Sequence, residues 1–201
     1  MSPIRGLSPR RIVLASASPR RRDLLEAAGF EVIIRPSEVS EIEEGLPPRD
    51  LVTANAELKA TAVDPDHHRG ELILAADTIV VLEGRIFGKP RDLSEASDML
   101  RQLGGRTHEV LTGVCMLRGG SPSRCSFVDS TKVAFKALNE ESISSYLAEI
   151  NPLDKAGAYA AQEDRGRLIE RIEGSLENVI GLPVALVIAA IQQHFTVPSS
   201  G

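Results

Sequence analysis

The sequence predicts an α/β fold with a mixed central sheet that is flanked by helices. Short apolar runs alternate with helical patterns along the first half of the chain, and hairpin-like segments with turn residues follow. Alternating strands and helices favour parallel pairing, whereas hairpins require antiparallel pairing, so we expect both kinds in one sheet. We also expect the two halves of the chain to wall a central cleft.

The first predicted strand, Ile12–Ala15, leads into a helix that begins at Ser18-Pro19. Serine is a common N-cap, proline suits the first helical position, and Gly29 predicts the end of this helix. The next predicted elements are a strand over Glu31–Arg35, an acidic loop from Pro36 to Pro48, a helix over Asp50–Val63, a strand over Leu72–Ala76 that ends at Asp77-Thr78, and a hairpin of Ile79–Leu82 and Arg85–Phe87 around Glu83-Gly84.

The rest of the chain predicts the same mixture of elements. In order, they are a helix over Ser94–Leu103, two long strands over His108–Leu117 and Cys125–Ala137, a helix that is capped by Asn139 and runs to about Ala148, a strand over Leu168–Glu173 and a closing helix over Pro183–His194. There is no internal repeat and no low-complexity tract, so residues 1–201 are predicted to form a single domain.

Composition excludes several classes of function. Aromatic residues make up 3% of the chain and Trp is absent, which argues against the stacking platforms that bind single-stranded nucleic acid. The formal net charge of -5 does not attract a polyanion, so a phosphate site must be a local cluster of basic groups and N–H donors. No apolar run is long enough to span a membrane.

The expected location is the cytoplasm. Residues 1–11 contain no apolar segment typical of a secretory signal. Cys115 and Cys125 lack the spacing of a metal or redox motif, and we interpret them as reduced thiols on neighbouring strands.

The first candidate phosphate site is the segment 16–22, at the predicted start of the first helix. Three arginines, Arg20–Arg22, place positive charge where it opposes the helix macrodipole, at a cost of roughly 0.3–1 kcal/mol each. A bound anion would offset this cost, because free N–H groups and guanidinium groups can hold one phosphate. The alternative is that the arginines face solvent or pair with Asp23 and Glu26.

Four further charged residues are candidates for metal or phosphate chemistry. Asp77 directly follows an apolar strand, where a carboxylate can hold a metal ion or take a proton from water, although such a residue also forms turns. Glu41 lies in the acidic loop and is either solvated or the second carboxylate. Lys59 and Lys89, the latter in a Gly-Lys-Pro turn, are either surface lysines or phosphate ligands.

Together these segments resemble the Maf family of nucleotide pyrophosphatases over nearly the whole chain. The matching motifs occur in the family's order, and they are Ser16-Ala17-Ser18-Pro19-Arg20-Arg21, Glu41, Leu58-Lys59-Ala60, Ala76-Asp77-Thr78, Gly88-Lys89-Pro90, His108-Glu109-Val110 with Thr112-Gly113-Val114, and Asp154-Lys155-Ala156-Gly157-Ala158-Tyr159 with Gln162. The resemblance implies an ITPase-like α/β fold with two lobes around a cleft, often assembled as a homodimer.

The resemblance also implies a reaction, in which a nucleoside triphosphate is hydrolysed to the monophosphate and pyrophosphate with a divalent cation, Mg²⁺ or Mn²⁺. By position, Asp77 is the implied general base and Glu41 its partner at the metal. Lys59 and Lys89 would neutralise the triphosphate, while Ser16, Arg20 and Arg21 would hold its phosphates.

The resemblance also implies which nucleotide base is recognised, through three positions at which branches of the family differ. Arg20, Thr78 and Gln162 resemble the branch of the family that hydrolyses dTTP and UTP, and Gln162 can offer both a donor and an acceptor to a pyrimidine. One alternative is the branch that acts on 7-methyl-GTP. The other is a nucleotide-binding regulator of cell division without turnover.

Overall fold

A computed structural model describes residues 10–63 and 70–195. Its strands are β1 (Arg11–Leu14), β2 (Glu31–Ile34), β3 (Leu72–Leu82), β4 (Arg85–Phe87), β5 (Thr107–Arg118), β6 (Arg124–Phe135) and β7 (Ile169–Glu173). Its α-helices are α1 (Pro19–Ala27), α2 (Pro48–Ala62), α3 (Leu93–Leu103), α4 (Glu140–Leu147), α5 (Leu176–Ile180) and α6 (Val184–His194). Two short 3₁₀ helices lie at Ala156–Ala158 and Ala161–Glu163.

The sheet is mixed, as the sequence predicts. Its strand order is β2-β1-β3-β5-β6-β7, and β4 pairs with β3. Strand β1 is parallel to both β2 and β3, whereas the pairs β3–β4 and β6–β7 are antiparallel. The prediction of an α/β fold with a mixed sheet and flanking helices is therefore confirmed.

The chain divides into two compact units. The first consists of Met1–Asp77, Gly113–Val128 and Gly181–Gly201, and the second of Thr78–Thr112 and Asp129–Ile180. The single-domain interpretation of residues 1–201 stays a prediction. No helix in the described ranges is both long enough and apolar enough to cross a membrane.

In the first unit, side chains alternate between the two faces of the sheet. Ile12 and Leu14 of β1 pack in a cluster with Leu25 of α1 and with α6, including Val187. Val13, between them, packs on the other face in a cluster that includes residues of α2. This period of two is the pattern expected of a strand that is covered by helices on both faces.

The second unit has its own core. Leu100 and Leu103 of α3, Phe135 of β6 and Tyr146 of α4 belong to one buried cluster. The turn between β3 and β4 has positive φ at both Glu83 and Gly84, as a two-residue hairpin requires. Asp92 and Asn139 cap α3 and α4 through side-chain hydrogen bonds, and the cap at Asn139 was predicted.

One predicted boundary in the middle of the sheet is wrong. The sequence indicates a strand that ends at Asp77-Thr78 and a second strand over Ile79–Leu82, but β3 runs without a break from Leu72 to Leu82. The charged Asp77 does not end the strand because a lysine from α2 pairs with its carboxylate inside the protein. A buried charge is tolerated when it is paired in this way.

Candidate active site

The start of α1 holds Arg21 through two hydrogen bonds. Its Nη1 donates to Ser16 Oγ at 3.1 Å and its Nε donates to the Gly181 carbonyl at 2.9 Å. Ser18 lies at the N-cap but its side chain makes no capping bond; instead, its backbone N–H donates to the same Ser16 Oγ at 3.2 Å. The first turn of α1 is therefore arranged around the Ser16 hydroxyl.

The three arginines of this turn have different surroundings. Arg22 pairs with Asp23 at 2.6 Å and lies 3.8 Å from Glu26, so the alternative of surface pairing holds for this residue. Burial lowers the pKa of Arg21 from its ordinary value, Asp77 raises it, and Arg20 lowers it further. Arg21 thus lies within electrostatic range of both Arg20 and the Asp77 carboxylate.

Two carboxylates converge on Lys59. Its Nζ lies 2.7 Å from Asp77 Oδ1 and 2.7 Å from Glu41 Oε1. Lys59 and Asp77 are 8% and 6% exposed, whereas the Glu41 side chain is 44% exposed. The structure therefore brings together three predicted site residues from the acidic loop, α2 and β3, and Glu41 is the member that faces solvent.

Asn55 joins the same cluster, although sequence reasoning missed it. Its Oδ1 accepts from the Ile42 N–H at 2.8 Å, and its Nδ2 donates to the Ile42 carbonyl at 3.0 Å. The same Nδ2 donates to Asp77 Oδ2 at 3.3 Å. Asn55 therefore fixes the loop next to Glu41 and orients the carboxylate of Asp77. The available signal was spacing, because Asn55 precedes Lys59 by one helical turn.

Gly113 of β5 allows α2 to come this close to the sheet. A Cβ added at Gly113 would lie 2.4 Å from the Val52 carbonyl oxygen in α2. Only glycine permits this approach, because real Cβ atoms do not come so near a backbone oxygen. The Thr112-Gly113-Val114 motif thus has a structural role in presenting Lys59 and Asn55.

Thr78 follows Asp77 in β3 and begins a hydrogen-bonded series within the second unit. Its Oγ1 lies 3.0 Å from Thr112 Oγ1, which in turn donates to the Asn178 carbonyl at 3.2 Å. Thr112 and Asn178 are both 0% exposed. The hydroxyl of Thr78 is therefore bound to a buried polar network.

The remaining predicted residues lie in the second unit, Lys89 in a loop and Gln162 in the 3₁₀ helix Ala161–Glu163. Lys89 is exposed, and the carbonyl of the preceding Gly88 accepts from the Gly157 N–H at 3.0 Å. This bond joins the Gly-Lys-Pro turn to the segment that leads to Gln162. Gln162 is exposed, and its Nε2 lies 3.4 Å from Glu163 Oε1. Their roles in binding stay predictions.

His108 has a structural position. It is buried in β5, its Nε2 lies 2.9 Å from the Tyr159 hydroxyl, and its ring packs edge-on against Phe135. Burial lowers the pKa of His108 to about 4, so the imidazole is neutral at pH 7. A neutral buried imidazole suits a role in fixing Tyr159, close to the predicted base-binding segment.

Two of the carboxylates in this cluster are suited to a divalent cation. In residues 10–63 and 70–195, no three His, Cys, Asp or Glu side chains come together as a metal site. Asp77 and Glu41 nevertheless supply two hard carboxylates next to each other, both on Lys59 Nζ. Mg²⁺ is commonly held by one or two carboxylates, substrate phosphates and water, so this pair fits it.

Comparison with known proteins assigns the family. The model of the Maf-like protein family matches residues 11–194. A dTTP/UTP pyrophosphatase of Anaeromyxobacter dehalogenans (strain 2CP-C) is 47% identical over 91% of this chain and 93% of its own. A dTTP/UTP pyrophosphatase of Bacillus mycoides (strain KBAB4) is 42% identical over 92% and 95%.

A solved structure supports the fold. The Ham1 protein of Staphylococcus aureus is similar with a TM-score of 0.53 at 17% identity, over 91% of this chain and 98% of that one. The family model covers nearly the whole chain, and both relatives are more than 40% identical to it. The chain belongs to the Maf family.

Proposed function

We propose that this chain hydrolyses dTTP and UTP to the nucleoside monophosphate and pyrophosphate. The observation that carries the proposal is the cluster of Asp77, Lys59 and Glu41, with Arg21 nearby, in a chain of the Maf family. The relatives named dTTP/UTP pyrophosphatase support the same reaction. The enzyme is a hydrolase that acts on the acid anhydride between the α- and β-phosphates.

The chemistry follows from the charges of these residues. Water attacks the α-phosphorus, the bond from this phosphorus to the bridging oxygen breaks, and pyrophosphate leaves. Asp77 would take the proton of the attacking water as general base. Lys59, Arg20 and Arg21 would balance charge on the phosphate oxygens, and Ser16 would keep Arg21 in place. When bound by Asp77 and Glu41, Mg²⁺ or Mn²⁺ would supply further positive charge for the triphosphate.

The residues that select the base are also part of the proposal. We propose that Arg20, Thr78 and Gln162 recognise the pyrimidine and that Lys89 neutralises phosphate charge. Support comes from the family motifs that carry these residues and from the names of the relatives. We further propose a single functional domain over residues 1–201, a homodimer, and no binding of nucleic acid or membranes.

A cytoplasmic location is proposed as well. Cys115 and Cys125, on neighbouring strands β5 and β6, are both free thiols. Free cysteines on neighbouring strands suit a reducing compartment.

The test is pyrophosphate release from a panel of dTTP, UTP, CTP, GTP and 7-methyl-GTP with Mg²⁺ or Mn²⁺. We expect dTTP and UTP to give the highest kcat/KM. A preference for 7-methyl-GTP would support the proposed reaction but would contradict the proposed recognition of a pyrimidine. Nucleotide binding without release from any triphosphate would favour the regulatory alternative.

A further inference from the structure

Gln162 lies at the centre of a one-turn 3₁₀ helix, Ala161–Glu163, which is too short to hold its own shape. Within this turn the Glu163 N–H donates to the Ala160 carbonyl at 3.1 Å. Helical turns of this length are marginal in isolation, because one or two hydrogen bonds do not offset the loss of backbone freedom. The position of the exposed Gln162 side chain must therefore be set by contacts of the turn with neighbouring segments.

Tyr146 of α4 holds the start of the turn. Its hydroxyl oxygen accepts from the Ala160 N–H at 2.9 Å, and Tyr146 and Ala160 are 0% and 4% exposed. Burial raises the pKa of Tyr146 to about 12, so the hydroxyl is neutral at pH 7. Arg167 lies over the ring of Tyr146 at 5.0 Å and pairs with Glu149 at 2.7 Å, which restricts the movement of the ring.

Asp164 holds the end of the turn. This residue directly follows Ala161–Glu163 and is buried. Its Oδ1 accepts from the Leu168 N–H at 2.8 Å, and its Oδ2 accepts from the Ile169 N–H at 3.1 Å. Ile169 is the first residue of β7, so the two carboxylate oxygens join the turn to the edge of the sheet. Hydrogen bonds to a charged acceptor are stronger than those between neutral groups.

We propose that Tyr146 is a positioning residue that, together with Asp164, holds the amide of Gln162 in place for the pyrimidine base. Buried side chains fix both ends of the turn, whereas the side chain between them is exposed. A group that is held in place before binding loses less freedom when the ligand arrives. The inference rests on the proposed function in one respect, namely that Gln162 contacts the base. It adds a residue of α4, outside the family motifs, to the recognition of that base.

The test measures affinities for α,β-imido-UTP and for ribose 5′-(α,β-imido)triphosphate, which lacks only the base, by isothermal titration calorimetry with Mg²⁺. Tyr146→Phe keeps the buried ring but removes the oxygen that accepts from Ala160. We expect this variant to bind the UTP analogue about 10-fold more weakly, the order expected for one well-placed hydrogen bond. Its affinity for the base-free analogue should not change, because the phosphates are bound elsewhere. A general loss of structure would weaken both ligands.

Gln162→Ala shows whether Tyr146 acts through the amide. Alone, this variant should weaken the UTP analogue by at least the same factor. Adding Tyr146→Phe to it should change little, because the two substitutions remove one interaction. The proposal is overturned if Tyr146→Phe keeps the native affinity, if it weakens both ligands alike, or if its full effect persists in the Gln162→Ala background. An unchanged affinity in Gln162→Ala would also overturn it.

Asn139→Ala is the control for stability. It removes the cap of α4, where Asn139 Oδ1 accepts from the Ser142 N–H, and so destabilises the helix that carries Tyr146 without touching the turn. This variant should bind both ligands as the native protein does, and a selective loss of the UTP analogue here would contradict the proposal.

Asp164→Asn tests the other end of the turn and replaces Tyr146→Phe if circular dichroism shows that the latter does not fold. Asparagine keeps one acceptor oxygen but exchanges the other for a donor, so one of the two bonds to β7 is lost. The same selective loss of affinity for the UTP analogue is expected. Native affinity of Asp164→Asn for this analogue would overturn the proposal.

Pyrophosphate release from UTP, measured in parallel, separates this proposal from the proposed function. Release by the native protein, with native affinity in Tyr146→Phe, would retain the enzyme and reject the inference. A selective loss of affinity in both Tyr146→Phe and Gln162→Ala, without release by the native protein, would retain the inference and reject the enzyme. Absence of binding of the UTP analogue by the native protein would contradict both.

Discussion

At the scale of single residues, Asp77 shows how one side chain combines burial with charge. Its carboxylate accepts from Lys59 and from Asn55 while it remains 6% exposed. A buried carboxylate needs such partners, because an unpaired charge in this position would be strongly destabilising. The same partners orient the oxygen atoms that the proposed mechanism uses.

We predict that Asp77→Asn lowers kcat by about 10²–10⁴-fold, the usual range for a general base. Asparagine keeps the shape of the side chain but cannot take a proton from water. Asp23→Asn in α1 is the matched control, because its partner is the surface residue Arg22, and it should keep near-native activity. Pyrophosphate release and circular dichroism of both variants provide the measurement. Near-full activity of Asp77→Asn would remove this residue from the mechanism.

His108 leads to a prediction about acid stability. Its pKa is lowered to about 4 by burial, against an ordinary value of 6.5, so the unfolded chain binds more protons between these values. The stabilising effect is complete above the unfolded pKa and is lost as the pH falls towards 4. From pH 7.5 to pH 5, this group alone should lower the free energy of unfolding by about 2 kcal/mol.

Urea denaturation of the native protein and of His108→Gln at these two pH values checks the prediction. The variant should lose less stability than the native protein on acidification, by about the same 2 kcal/mol. His194→Gln, at the exposed end of α6, is the matched control and should behave like the native protein. An equal loss in the native protein and in His108→Gln would contradict a neutral buried His108.

At the scale of elements, α2 is the helix on which the site depends. It carries Asn55 and Lys59 on one face, and this face can reach Asp77 only because β5 offers a glycine at position 113. The packing of α2 against β5 therefore sets the position of Lys59 next to Asp77. A change that moves α2 away from the sheet would separate Lys59 from its carboxylates.

Gly113→Ala is therefore predicted to destabilise the fold by about 1–3 kcal/mol or more, as overpacking does. The added Cβ would meet the Val52 backbone, which cannot rotate away. Gly88→Ala is the control for stability, because a Cβ there meets nothing within 4 Å. Urea denaturation measures both variants. Equal stability of the two would contradict the close contact between β5 and α2.

At the scale of the whole molecule, a chain with a formal net charge of -5 must bind a polyanionic substrate. Overall charge opposes this, so the attraction has to come from local groups and a divalent cation. We predict that removal of divalent cations with EDTA abolishes pyrophosphate release and that added Mg²⁺ or Mn²⁺ restores it. Full activity in EDTA would exclude a metal role for Asp77 and Glu41.

Most of the elements, the mixed sheet and the family could be predicted from the sequence. These follow from local features, since periodicity, caps and turn residues act over a few positions, and the motifs recur in a fixed order. The hairpin at Glu83-Gly84 and the cap at Asn139 are examples. The roles of the candidate residues follow from the family resemblance and stay predictions.

How these residues act together could not be predicted, because it depends on contacts that form when the chain folds. Lys59 lies between two carboxylates, and Asn55 fixes the loop of Glu41. Gly113 allows α2 to pack closely against β5. All of these contacts join segments that are distant in the sequence. Thr112 lies 3.0 Å from the Thr78 hydroxyl and donates to the carbonyl of Asn178, which is 66 residues away. Local sequence patterns cannot specify such contacts, because they depend on which strands pair and which helix covers them.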